Sequence, residues 1–310
     1  MFIIRQIRIH PWFWLLIGGL LLLGVGFGGR FLPQSGTGLT EWTPLLERLA
    51  NDGHDPGELR VVFGDSRARY DPSAMASKLQ ALLRQRRQAR GEPGEQPEVY
   101  GRYLSPLALA GARGYLDLHR GVLENAESLY GVDKEIQVAI LLIESKLGMT
   151  TGSDDALLIL ASMAMSADFE RVKPHIGWGR LDQEEQAWIE ARNADKAAWA
   201  YRELDALLRY ARMAGRSPLD IPSSVYGAIG YPQFMPSNAL AYGVDGDGDG
   251  IVDLFTTADA VHSLCNFLKR HGWREDLVLD RRHEVIYKYN HDNVYARTVL
   301  AIADRLKGKA

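Results

Sequence analysis

Residues 131–148 read GVDKEIQVAILLIESKLG, and the folding of this stretch decides how the rest of the chain is arranged. Ile136, Val138, Ala139, Ile140, Leu141, Leu142 and Ile143 leave no polar face, so a helix here is buried nearly all round. Glu144 interrupts the apolar run. Its helical neighbours three and four residues away are Ile140, Leu141 and Leu147, a setting that penalises the carboxylate and raises its pKa. Gly148 reads as the helix stop, which puts Glu144 in the last turn, where the negative end of the helix dipole also disfavours negative charge. Both effects keep the side chain protonated near neutral pH, the state a general acid needs. The competing reading is a surface Glu paired with Lys146 or a distant arginine, and the surroundings of the carboxyl decide between the two.

The 310 residues, 46% hydrophobic and 24% charged, suffice for a buried core in one or two domains and exclude a disordered chain. A net charge of −3 and a pI near 6.3 offer nucleic acid no overall attraction, and no motif for it is present. The one basic cluster, Arg84, Arg86, Arg87 and Arg90, reads as the solvated end of a helix.

Residues 11–29, PWFWLLIGGLLLLGVGFGG, carry no charge. As a helix of about 19 residues they span ~28 Å, close to the hydrocarbon thickness of a bilayer. Segment 11–30 therefore reads as a transmembrane anchor behind a basic cytoplasmic flank, 1–10, that holds Arg5, Arg8 and His10, with everything after Arg30 sent outward. A cleaved signal peptide is the rival; the long apolar run and the lack of an A-x-A-like site in GVGFGGRF favour the anchor. The single cysteine, Cys265, rules out an intrachain disulfide.

Residues 31–41, FLPQSGTGLTE, read as a linker, and helical periodicity begins at Trp42 with Leu45, Leu46 and Leu49 on one face. Asp71-Pro72 opens a helix with Met75, Leu79, Leu82 and Leu83 inward, closed by the Arg90–Gly94 loop. The chain reads as one helix over 106–130, a stretch over 156–165 apolar enough to be a core helix, and one long helix or two over 183–214. After the break at 217–222 the composition changes: residues 223–255 are rich in glycine, contain prolines and lack periodicity, the character of a loop built for a purpose.

Within that stretch Asp245, Asp247, Asp249, Gly250, Ile251 and Val252 fit the first eight positions of a calcium loop spanning 245–256. Carboxylates occupy positions one, three and five, and the Ile251 carbonyl position seven. The twelfth position, normally a bidentate Glu, is Thr256, so Asp253 or Asp259 has to close the shell, or the segment is a Gly/Asp turn without metal. Bound Ca²⁺ would pin the loop by relieving repulsion among the carboxylates. A second constellation is GAIGYPQFMPS, 227–237: its glycines admit close backbone approach, Gln233 both donates and accepts, and Tyr231 and Phe234 offer flat apolar surface. YKYNH, 287–291, followed by Tyr295, again gathers aromatic and amide groups.

ESKLG at Glu144, GAIGYPQFMPS, DGDGDGIVDLF, HGW at 271–273 and YNHDNVYA at 289–296, in this order, resemble the B-type membrane-bound lytic murein transglycosylases from about Trp42 to the C-terminus. The resemblance implies a mainly α, lysozyme-like (α+β) catalytic domain over 42–310 that cleaves the MurNAc–GlcNAc β-1,4 bond of peptidoglycan without water and leaves a 1,6-anhydro ring on the muramic acid. It implies Glu144 as acid and then base; Ser224, Tyr231, Gln233, Phe234, Tyr289, Asn290 and Tyr295 along the glycan cleft; and Asp245, Asp247, Asp249, Ile251 and Thr256 around a structural Ca²⁺. With the N-terminal helix it implies anchorage on the periplasmic side of the bacterial inner membrane, with glycan strands as partner. A non-catalytic peptidoglycan-binding scaffold for cell-wall enzymes is the alternative, and a lysozyme-type hydrolase with a second carboxylate is a third. The chain departs from the family in four places. Only Arg274–Lys288 stand where the family has a segment with its own small sheet; Ser145 replaces Thr, Pro232 replaces Gly, and Thr256 weakens the metal site.

Overall fold

The computed structural model describes residues 38–90 and 97–308. The basic flank, the 11–30 anchor and residues 31–37 of the linker lie outside the described residues. Among the described residues no helix is long and apolar enough to cross a membrane. The first helix, α1, runs Gly38–Asn51, so residues 38–41 belong to the helix and not to the linker. It is followed by α2 (Pro56–Phe63) and α3 (Ser73–Arg90), in which Met75, Leu79 and Leu83 are buried and Leu82 is half-buried.

Next come α4 (Pro106–Leu118), α5 (Arg120–Tyr130) and α6 (Lys134–Ser145). The single helix expected over 106–130 is thus two. His119 leaves the helical region, at φ −109° and ψ 21°, and the resulting bend lays both halves on α6. No proline marks the break and Gly121 lies just inside α5, so tertiary packing fixes where the chain bends. Then follow α7 (Ala156–Met165), α8 (Gln183–Met213, unbroken), α9 (Pro236–Tyr242), α10 (Thr257–Arg270), α11 (Leu279–Tyr289) and α12 (Asn293–Leu306).

Short polar side chains satisfy first-turn N–H groups at many of the helix starts: Asp55 for α2, Ser105 for α4, Asp155 for α7, Asp182 for α8 and Asp292 for α12. The core forms around α6, which packs on α4, α5, α10 and α12. Every residue from Ile136 to Ser145 is buried, as the unbroken apolar run requires. Each Ile or Leu enclosed this way contributes about 1.5–3 kcal/mol. Its one interior amide, Gln137, is served by the carbonyls of Leu123 and Val132. The long α8 and the apolar α7 build a second packed unit with α1 and α3.

Among the described residues the only sheet pairs β1 (Asp154–Asp155) with β2 (Pro222–Ser223), antiparallel, Asp154 opposite Ser223. The α+β expectation shrinks to these two short strands on a helical frame. They nonetheless position the site, because they tie the loop after α6 to the glycine-rich stretch after α8. A side chain at Gly152 (φ +96°) would meet the Ser223 carbonyl oxygen at 1.9 Å, so the two backbones approach as closely as glycine alone permits.

Candidate active site

The helix expected to stop at Gly148 ends earlier. Lys146 caps α6 in the left-handed region at φ 50°, Leu147 follows at φ 64°, and Gly148 at φ 86°. Two consecutive side-chain-bearing residues in that region store strain of order 1–3 kcal/mol each, which the surroundings have to offset. Leu147 N–H reaches back to Leu141 O at 2.9 Å, Gly148 N–H donates to Ser145 Oγ at 2.9 Å, and Thr150 N–H donates to Ser145 O at 2.9 Å. Among the described residues the one other non-glycine at positive φ is Gln233. Lys146 and Leu147 directly follow one acidic residue, and Gln233 reaches the loop after them through Thr151 O at 3.3 Å.

That acidic residue is Glu144. It is 4% exposed, in the last turn of α6, with apolar neighbours on its own helix. Tyr295 of α12 donates its phenol O–H to Glu144 Oε1 at 2.6 Å, and Oε2 is buried with no protein partner. Burial pushes the carboxyl from the ordinary 4.5 up to about 8; the Tyr295 hydrogen bond opposes this and is the weaker effect. With Oε1 accepting from Tyr295, Oε2 is left free to carry the proton when the carboxyl is neutral. Lys146 is not its partner, so the surface-pair reading of Glu144 fails. No second acid contributes to its shift.

Aromatic rings frame the carboxyl. The Tyr289 and Tyr295 rings are parallel, 6.4 Å between centroids, and both phenols are held protonated by burial and by Glu144. Tyr103, a residue sequence reasoning missed, donates to Ile143 O at 3.3 Å, and its phenol also feels Glu144. Nothing in its local sequence marks it; only the fold brings it from the segment before α4 to the end of α6.

The glycine-rich loop closes over the end of α6. The Tyr231 ring lies on Gly148, where an added Cβ would sit 2.6 Å from it, and Gln233 Nε2 donates to Gly230 O (2.9 Å) and Thr151 O (3.3 Å). Tyr289 Oη donates to Pro232 O at 2.5 Å. Ser224 is buried, its Oγ accepting from the N–H groups of Ala228 and Tyr226, so it shapes the loop. Asn290 is half-buried just after α11. Phe234 departs from expectation. At 2% exposure it is enclosed by Tyr242, Phe267 and Tyr289, with centroids 5.7–6.5 Å away, and so backs Tyr289 instead of offering a face of its own. No sheet stands between Trp273 and Tyr289; a turn and α11 fill the interval.

The acidic loop gathers a different set from the one expected. Carboxylate oxygens of Asp245, Asp247 and Asp259 lie within 4.8 Å of one another. Asp249 turns aside, its Oδ1 accepting from Ile251 N–H at 2.8 Å, and Ile251 has only its backbone to offer. Thr256 is the N-cap of α10, its Oγ1 accepting from Asp259 N–H and its hydroxyl donating to Asp253 O. Asp253 is taken by Arg216 at 2.6 Å, so Asp259, one turn into α10, closes the group. Its two oxygens accept from Gly246 N–H (2.7 Å) and Asp253 N–H (2.6 Å), while burial and the facing Asp247 and Asp245 raise its pKa. A 2% exposed carboxylate facing two others is a donor set that fits a hard divalent cation. The loop reaches the site through Leu254, whose carbonyl accepts from Tyr231 N–H at 2.8 Å.

A buried glutamic acid whose pKa burial raises, beside tyrosines and a glycine-rich loop on a helical frame, is a candidate carboxyl acid-base site. The chain matches the Transglycosylase SLT domain over residues 40–280 and belongs to that family, and with it to the B-type lytic transglycosylases that the motifs resemble. It is 27% identical over 230 residues to membrane-bound lytic murein transglycosylase B of Escherichia coli (strain K12), a match covering 74% of this chain and 56% of that protein. The match thus spans little more than half the length of that relative. SltB3 from Pseudomonas aeruginosa, solved in complex with NAG-anhNAM-pentapeptide, superposes with a TM-score of 0.66 at 20% identity, covering 88% of this chain and 80% of that one. Slt35 from Escherichia coli, solved in complex with calcium, gives 0.64 at 20% identity over 87% and 93%. At these identities the structural likeness shows a shared fold.

Proposed function

We propose that this protein is a peptidoglycan lytic transglycosylase in which Glu144 is the general acid and then the general base. The observation that carries this is the burial of Glu144 in an apolar shell that keeps its proton near neutral pH. The Glu144 carboxyl gives its proton to the oxygen bridging MurNAc and GlcNAc as the C1–O bond breaks. The muramyl C6 hydroxyl then attacks C1, forming the C1–O6 bond, and returns its proton to Glu144. Atoms balance without water, and one carboxyl suffices because the nucleophile is the substrate's own. Tyr295 holds Oε1 so that Oε2 faces the reaction, and Tyr289, Gln233, Tyr231, Asn290 and Ser224 orient or shape the cleft.

Asp245, Asp247 and Asp259 would hold a Ca²⁺, as the calcium complex of Slt35 supports. Bound there, the ion offsets mutual repulsion of the three carboxylates. Its benefit passes through Leu254 to Tyr231 and the roof over Gly148. The N-terminal apolar segment tethers the domain on the periplasmic side of the inner membrane, in keeping with a relative named membrane-bound.

Clearing of purified sacculi tests the reading: the wild type lowers turbidity and Glu144→Gln does not. Equal clearing by both, or by neither, contradicts it; the second outcome favours the binding-scaffold alternative, for which a carboxyl buried at this cost has no use.

A further inference from the structure

Helix α3 carries a lysine into the interior with no acid to meet it. Lys78 is 6% exposed, and among the described residues no carboxylate pairs with its ammonium. Two half-buried carboxylates show the contrast: Asp133 meets both Arg282 and Lys307, and Asp205 meets Arg209 and His54.

What surrounds Lys78 is aromatic and basic. Its Nζ stands 3.9 Å over the Tyr226 ring and 5.6 Å from the Trp199 ring, and Lys196 Nζ lies 5.3 Å from the same indole. Cation–π contacts of this kind offset only part of the cost of enclosing an ammonium without a counter-charge. Burial, with Lys196 adding repulsion, pushes the Lys78 amine down to about 7, and Lys196 is lowered as well. An arriving carboxylate relieves both.

The cluster is linked to the candidate site through the chain. Tyr226 stands two residues after Ser224, in the loop that continues to Tyr231 and Gln233 over Gly148 and Thr151. Gly227 (φ +85°) holds the turn against Leu160, leaving no room there for a side chain. A strand lying along that loop would bring its peptide substituents, which bear carboxylates, toward the two amines.

We propose that Lys78, Lys196, Trp199 and Tyr226 form a subsite for a carboxylate of the peptide stem on the glycan strand, an inference that rests on the peptidoglycan reading of the Glu144 site. The aromatic rings supply a wall for the peptide's aliphatic parts, and the two amines supply the charge.

The test compares kcat/KM on glycan strands that keep their stem peptides with the same strands stripped by an amidase, which retain only the free lactyl carboxylate. Lys78→Met and Lys196→Glu are each assayed beside the wild type after their melting temperatures are measured. Lys196 is half-buried, so its variant decides the matter should Lys78→Met fail to fold. The expected result is a fall of about tenfold in the peptide-bearing to stripped ratio, expressed in KM, as the loss of one charge-assisted contact predicts. A ratio unchanged from wild type in both variants overturns the subsite while leaving the Glu144 reading intact. Equal loss on both substrates also overturns it and points to the lactyl carboxylate or to the fold. A wild type that cleaves neither substrate overturns the Glu144 reading and this inference together.

Discussion

Tyr295 Oη and Glu144 Oε1 are 2.6 Å apart across 151 positions of sequence, which makes α12 the partner that orients the carboxyl of α6. The phenol stabilises the anion and so works against the burial that holds the proton. Tyr295→Phe therefore raises the Glu144 pKa further, moving the alkaline limb of the pH–rate profile upward. It also frees the carboxyl to rotate, lowering kcat by about tenfold, as expected for a hydrogen bond to an ionisable group. A kcat/KM profile with an unmoved alkaline limb contradicts the assignment.

Glu144→Gln separates stability from activity. Folded Glu144 keeps its proton up to about pH 8, whereas an unfolded glutamate releases it near 4.5, so between these values the folded state binds more protons and stability falls as pH rises. The amide has no proton to lose. The variant is therefore more stable than wild type at pH 7, by roughly 3 kcal/mol as an upper figure, and indistinguishable from it at pH 4. Paired denaturant titrations at the two pH values measure this; a variant less stable at pH 7 places the carboxyl elsewhere.

The acidic loop predicts a division between two neighbouring residues. Asp259→Asn removes a facing carboxylate and abolishes the rise in melting temperature that Ca²⁺ confers on the chelated wild type. Thr256→Ala loses an N-cap worth about 1 kcal/mol yet keeps the Ca²⁺-dependent rise. If chelation leaves the wild-type melt unchanged and no Ca²⁺ is bound, the loop is an Asp/Gly turn.

Gly152→Ala tests the close approach that joins the loop after α6 to Ser223. The methyl group would fall 1.9 Å from a carbonyl oxygen at a φ of +96°, so the strand pair has to separate. We expect a loss of at least about 2 kcal/mol, with activity falling as Ser224 and Gln233 shift. Thermal melts and turnover measured together check it; wild-type values of both contradict the tie.

Much of this was legible in the sequence because the signals were local. An unbroken apolar run has one physical outcome, burial, and a glutamate placed inside it inherits the consequence; the apolar α7 was legible from composition alone, whereas the sequence left open whether α8 was one helix or two. The illegible parts were decided by contacts between distant segments. His119 bends the chain because two faces both need α6, and Lys146 and Leu147 take left-handed conformations because Ser145 and Leu141 hold them there. Phe234 looked like a platform because its flanking residues are loop-like, yet the aromatics of α10 and α11 enclose it. Of the two residues the sequence offered to close the shell, Asp259 joins the group because the first turn of α10 reaches back, and Asp253 does not because Arg216 holds it, a choice the linear pattern left open. Lys78 sits in an ordinary helical pattern, and its isolation exists only in three dimensions.

Mass spectrometry of digested murein tests the central claim most directly. Wild-type protein should yield disaccharides ending in 1,6-anhydro-muramic acid, formed without incorporation of ¹⁸O from labelled water, and Glu144→Gln should yield none. Reducing-end muramic acid carrying ¹⁸O, or anhydro products from the Gln variant at the wild-type rate, would contradict a single buried acid acting with the substrate's own hydroxyl.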